Sequence, residues 1–130
     1  MRRSLTNFAR KFEGNIPYKY GGKNPATTID CSGFTQFVYS LFDMIHSMNV
    51  RVMSASMQYN YYKGLGCEID RPYEGVLVFY HKPKSWHVMI CLDPYTCIGA
   101  SGENVVVRDI DYRDDRLGYM DPFKQFGDKI

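Results

Sequence analysis

Apolar residues at Leu5, Phe8, Ala9 and Phe12 recur at helical spacing and predict a short amphipathic helix, with Ser4 as its N-cap. A second series, Phe34, Phe37, Val38, Leu41 and Phe42, predicts a longer helix from about Ser32 to His46. Ser54 can cap a third helix through Ala55, Met57, Gln58, Tyr61 and Tyr62, which Gly64 and Gly66 then end. Beyond it the period changes. Val76-Leu77-Val78-Phe79-Tyr80 is a continuous apolar run, the signature of a strand covered on both faces. His87 to Leu92, the turn Asp93-Pro94-Tyr95-Thr96, and Cys97 to Ser101 predict an antiparallel hairpin, with another strand at Val105-Val106-Val107. Helices followed by strands predict an α+β fold, with N-terminal helices packed on a mostly antiparallel sheet.

The 130 residues, 45% of them hydrophobic and without repeats or linkers, predict one domain spanning residues 1–130. The formal charge of +2 is spread from Arg2 to Lys129 with no basic stripe, which predicts no nucleic-acid partner. No apolar run follows Arg2-Arg3 and no segment reaches the ~20 apolar residues of a span. The expectation is synthesis in the cytoplasm without a signal peptide, and no membrane partner.

Cys31, Cys67, Cys91 and Cys97 form no C-x-x-C pair and no zinc spacing with His46, His81 or His87. Free thiols, and neither metal nor cofactor, are expected. Cys91 and Cys97 read as core and Cys67 as a loop residue. The run from Arg108 to Arg116 alternates arginines with Asp109, Asp111, Asp114 and Asp115, which reads as a solvated face without calcium-loop spacing. Tyr18 to Gly22 lacks the G-K-[ST] ending of a phosphate loop.

Cys31 stands apart because it opens a helix. Unpaired N–H groups and the positive end of the helix dipole favour thiolate there, so reaction below the ordinary thiol pKa of about 8.5 is expected. A nucleophilic thiol also needs a base. His46 would lie at the far end of the same helix, about 22 Å away at 1.5 Å per residue. His81 belongs to the Lys82-Pro83-Lys84 loop, which leaves His87 at a strand start. The plainer readings are a structural cysteine and a core histidine; spacing alone does not separate them from a Cys31/His87 dyad.

Pro17-Tyr18-Lys19-Tyr20-Gly21-Gly22, Asp30-Cys31-Ser32-Gly33-Phe34, Gly75 to Tyr80 and His87-Val88 occur in an order that resembles the NlpC-type family of papain-like cell-wall cysteine peptidases, over roughly residues 12 to 108. The resemblance implies a papain-like fold, Cys31 as nucleophile and His87 as general base and later acid. It implies that the Tyr18 hydroxyl lies beside the thiol and that Asp30 and Ser32 flank the substrate's peptide stem. It further implies a peptidoglycan hydrolase, cutting between D-glutamate and a diamino acid.

Three positions depart from the family pattern. The polar residue, most often histidine, that orients the catalytic histidine from the next strand falls at Gly99; the family's Gly-Asp pair is Gly75-Val76; and the glycine two places after the histidine is Met89. A backbone carbonyl, a water, Ser101 or Glu103 remain as candidates to hold the His87 ring, and a slower enzyme is expected. Tyr59, Tyr61, Tyr62, Tyr95 and Trp86 are candidates for lining a groove, although with 11 tyrosines in the chain packing accounts for most of them. A phage lysin, a virion tail hydrolase or an injected toxin fits this reading, with a phage tail or secretion machine as candidate partner and action at the wall or periplasm. The alternatives are an inactive wall-binding module of the same fold, or another thiol enzyme such as an acyltransferase or deamidase.

Overall fold

In the computed structural model, which describes residues 1–46, 53–82 and 85–129, α1 (Arg2–Arg10) packs on α2 (Cys31–Ser40), and α2 lies with α3 (Ala55–Gly64) against an antiparallel sheet. Leu5 and Ala9 of α1 are fully buried, Phe8 packs at a tilt on Phe37, and Phe12 meets Phe34 edge to face. The helix starts ahead of Ser4, which caps nothing. Arg2 forks onto the Asp121 carboxylate and Arg3 pairs with Glu74, and these tertiary ion pairs hold the first turn in place of a local cap.

α2 is also shorter than its apolar pattern predicts. Asp43 takes a left-handed conformation at φ 58° and the Met44 N–H returns to the Tyr39 carbonyl, so the chain folds back after Ser40. The Met44 carbonyl then accepts from the Tyr62 hydroxyl and the Gln125 amide, which fixes Met44 in the core off the helix axis. His46 is therefore no helix end; its carbonyl accepts from the Gln36 side chain. α3 follows its prediction, with the Ser54 hydroxyl accepting from the Met57 N–H and Gly66 left-handed after the helix.

Two short strands, β1 (Lys23–Asn24) and β2 (Thr28–Ile29), pair ahead of α2. The main sheet comprises β3 (Glu68–Ile69), β4 (Leu77–Lys82), β5 (Ser85–Cys91), β6 (Thr96–Ser101), β7 (Asn104–Asp109) and β8 (Arg116–Met120), in the order β3-β8-β4-β5-β6-β7. β8 was invisible to periodicity because Arg116-Leu117-Gly118 does not alternate; pairing with β4, from Leu77 opposite Met120, makes it a strand. The central run is apolar on both sides for a reason. Leu77 and Phe79 face the helices, whereas Val76, Val78 and Tyr80 join Met89, Cys91, Cys97 and Ile110 in a second buried cluster on the far face. Cys67, read from sequence as a loop residue, is fully buried. Among the described residues no helix is long and apolar enough to cross a membrane.

Candidate active site

The mouth of α2 is built by close backbone approach. The Asp30 carboxylate accepts from the Gly33 N–H at 2.7 Å, which caps the helix one turn in. The loop carrying Tyr18 to Gly22 crosses directly over this turn. A Cβ at Gly33 would lie 2.8 Å from the Gly22 carbonyl oxygen, and one at Gly22 would lie 2.9 Å from the Ile29 nitrogen. Only glycine fits at either place. Gly33→Ala is accordingly expected to cost about 1–3 kcal/mol in urea denaturation, because backbone rather than a flexible side chain must yield; an unchanged midpoint would contradict this packing.

The opposite wall comes from strands that separate. β5 and β6 pair at Ile90–Ile98 and Cys91–Cys97 and then diverge toward the start of β5. The Val88 N–H, freed there from the ladder, is directed at the Cys31 sulfur, as is the Ser32 N–H. The N-terminus of α2 thus sits over the opening between the two strands. His87, one residue earlier, is 7% exposed and packs at 5.8 Å from the Tyr80 ring and 6.3 Å from that of Tyr112. A pocket of about 680 Å³ collects Cys31, His87, Tyr18, Trp86, Ser101 and Arg113 along its walls.

Electrostatics in this pocket differ from the expectation for an exposed helix mouth. Burial pushes the Cys31 thiol up, and the Asp30 charge adds to this; the Val88 and Ser32 N–H groups and Lys23 pull the other way without reversing it. Burial, reinforced by the Arg113 guanidinium and only partly opposed by Asp115, lowers the His87 imidazole to about 4. The resting pair is neutral thiol and neutral imidazole. The early reactivity expected from the helix dipole alone is therefore corrected by burial, which outweighs it.

A buried neutral histidine makes stability depend on pH in a definite direction. Between the unfolded value of 6.5 and the folded value of about 4, the unfolded chain binds the proton and the folded chain does not. His87 therefore costs stability progressively as pH falls through that window, by on the order of 3 kcal/mol, and contributes no slope above it. Urea denaturation at pH 7 and pH 4.5 is expected to show a smaller acid loss in His87→Gln than in the unaltered protein. Equal losses would contradict the depressed value.

The other residues singled out from the sequence are distributed unevenly. Tyr18 lines the pocket near enough to Cys31 for the thiol to raise its phenol, second to burial. Asp30 and Ser32 also line it, but their side chains are occupied: the Lys23 ammonium donates to both Asp30 oxygens at 2.7 and 2.8 Å and to the Ser32 hydroxyl at 2.7 Å. Gly99 is buried in β6 away from the pocket, where a Cβ would lie 2.6 Å from the Met89 sulfur. Two of the three departures from the family pattern are one feature: the Met89 side chain fills the space that a side chain at Gly99 would need.

Neither Ser101 nor Glu103 holds the imidazole. The hairpin register does not slip, since Ser101 pairs with Asn104 and Gly99 with Val106. The Ser101 hydroxyl is engaged with that of Tyr112, Glu103 is exposed, and the buried His87 Nε2 has no hydrogen-bond partner among the described residues. Of the candidate groove aromatics only Trp86 lines the pocket. Tyr59 packs beneath it, Tyr62 is buried and Tyr95 projects from the hairpin turn. Sequence reasoning missed Lys23 and Arg113; the latter stood in a run taken as a solvated face, and only the turn at Ile110–Tyr112 brings it into the pocket.

Comparison with known proteins adds an independent line. The family model described as the NlpC/P60 family matches residues 14–117. The chain is similar to the NlpC/p60 domain of the peptidoglycan hydrolase SagA, with 26% identity, a TM-score of 0.70, and coverage of 92% of this chain and 97% of that one. It is also similar to a lipoprotein-like NLP/P60 family protein from Staphylococcus aureus, with 26% identity, a TM-score of 0.69 and coverage of 92% of this chain. The chain spans 40% of the length of that second protein. No curated protein matches the chain.

Proposed function

The chain belongs to the NlpC/P60 family of peptidoglycan hydrolases, and from that premise we propose that residues 1–130 act as a single catalytic domain that cleaves an amide of the peptidoglycan stem peptide with Cys31 as nucleophile and His87 as base. The observation that carries this reading is the shared pocket, in which the thiol at the mouth of α2 and the imidazole at the start of β5 face the same opening. Because both groups rest uncharged, the proton moves from sulfur to imidazole as the sulfur attacks the amide carbonyl. A backbone N–H at the start of α2, ahead of the Gly33 N–H that Asp30 takes, stabilises the resulting oxyanion. Imidazolium then protonates the leaving amine, and water hydrolyses the thioester. The bond we assign is that between D-glutamate and the diamino acid, by likeness to the family. Delivery to the wall by a phage or a secretion machine belongs to the same proposal, and recovery of the protein in purified virions or as a secretion-dependent product would support it.

The unpartnered His87 Nε2 favours a second reading, a module of the same fold that binds wall peptide without cutting it. One experiment separates the two. Intact sacculi are incubated with the unaltered protein and with Cys31→Ala, and soluble fragments are identified by mass spectrometry. New amine termini on the diamino acid, produced by the unaltered protein alone, are expected. Sacculi that bind the protein yet release nothing would leave the binding module.

A further inference from the structure

Two cations line the pocket, and their donors are committed differently. The Lys23 ammonium has three N–H donors, and Asp30 Oδ1, Asp30 Oδ2 and Ser32 Oγ take all three. The Arg113 guanidinium has five. Its Nε and Nη2 grip the two oxygens of Asp115, at 2.8 and 2.5 Å, which orients the plane through one edge. Its Cζ lies 5.3 Å from the centre of the Tyr80 ring, against which His87 also packs, and the Tyr112 hydroxyl accepts a further hydrogen bond from it. The side chain remains 21% exposed, toward the pocket. With two donors on Asp115 and one on Tyr112, two of the five remain, and among the described residues no second carboxylate meets the guanidinium.

A fixed guanidinium beside a general base opposes the chemistry just described. When His87 takes the proton from Cys31, the imidazolium is repelled by Arg113, and Asp115 offsets this only in part. An anionic group arriving with the substrate on the open side of the guanidinium removes that opposition. An arginine edge already aligned by one carboxylate is suited to bind a second by charge-assisted hydrogen bonds. A γ-linked glutamyl residue supplies such a group, because its bond runs through the side-chain carbonyl and leaves its α-carboxylate free.

We propose that Arg113 is the carboxylate-recognising residue of this pocket, selecting stem peptides whose γ-glutamyl residue keeps its free α-carboxylate over those in which that group is a carboxamide. The inference rests on the pocket being a stem-peptide site, and it adds which chemical form of the stem is taken. Substrate recognition and activation of the base are then one event: the carboxylate that anchors the peptide also lets His87 carry the proton.

The test is binding, measured apart from cleavage. Cys31→Ala protein is titrated calorimetrically with L-alanyl-γ-D-glutamyl-diaminopimelate and with the same peptide containing D-isoglutamine. The carboxylate form is expected to bind about tenfold to a hundredfold more tightly, as a charge-assisted hydrogen bond warrants. Adding Arg113→Gln is expected to bring the two within about twofold, and Arg113→Lys to keep part of the preference. Equal binding of both peptides to Cys31→Ala overturns the inference, as does binding of neither. A carboxylate preference in Cys31→Ala, found together with an unaltered protein that releases nothing from sacculi, would remove the hydrolase reading and leave the role of Arg113 standing.

Discussion

Replacing Cys31 by alanine is expected to abolish amide cleavage of a soluble stem peptide, and replacing His87 by alanine to slow it by about 10²–10⁴-fold. The first change deletes the attacking atom. The fold should persist, since alanine removes one sulfur atom whose hydrogen bonds come from the Val88 and Ser32 N–H groups. The second change leaves a thiol whose pKa burial raises and removes the imidazole that takes its proton. Far-ultraviolet circular dichroism and the urea midpoint check the folds, and kcat/KM on the peptide checks the chemistry. Undiminished cleavage by either variant would remove that residue from the mechanism.

The second large effect concerns the far face of the sheet. Met89 and Gly99 lie opposite one another by the register that pairs Ile90 with Ile98, and a side chain at Gly99 would collide with the Met89 sulfur. Gly99→His alone is expected to cost about 1–3 kcal/mol by overpacking a fully buried site. Met89→Gly alone is expected to cost about 2–5 kcal/mol by opening a cavity. Together the two changes exchange the volumes, and the double variant should recover at least about 1 kcal/mol relative to the sum of the singles. The exchange also places an imidazole diagonally across the strands from His87, within reach of the Nε2 that now lacks a partner. The double variant is therefore expected to turn over stem peptide faster than the unaltered protein, by up to about tenfold. Additive stability losses in a double-mutant cycle would show that Met89 and Gly99 do not share the space.

What could be read from the sequence was local, and what could not was tertiary. Cys31 ahead of the apolar series from Phe34 announces a thiol at a helix mouth, whereas the Asp30 cap and the close approach at Gly33 come from the folded molecule. The valine-rich run likewise announces a central strand. The end of α2 was hidden, because the apolar pattern continues through Leu41 and Phe42 while contacts from Tyr62 and Gln125 decide where the chain turns. β8 exists through its pairing with β4. Arg113 looked like one charge in an alternating run, and its place beside His87 depends on the turn at Ile110–Tyr112 and on the grip of Asp115. The charge balance of the dyad was hidden too. A helix mouth predicts an acidic thiol, but the depth of Cys31 and the guanidinium beside His87 can be read only from the folded molecule.

For cleavage, the sulfur of Cys31 must reach the acyl carbon of a bound stem peptide. A stem-peptide analogue with a diazomethyl ketone in place of the scissile amide measures this, with peptide mapping of the product. One label per chain on Cys31 is predicted, forming faster than with a peptide-free diazomethyl ketone and slowed in His87→Ala, while the buried Cys67, Cys91 and Cys97 stay unlabelled. Label on another cysteine, or on Cys31 at a rate indifferent to both the peptide and His87, would contradict it.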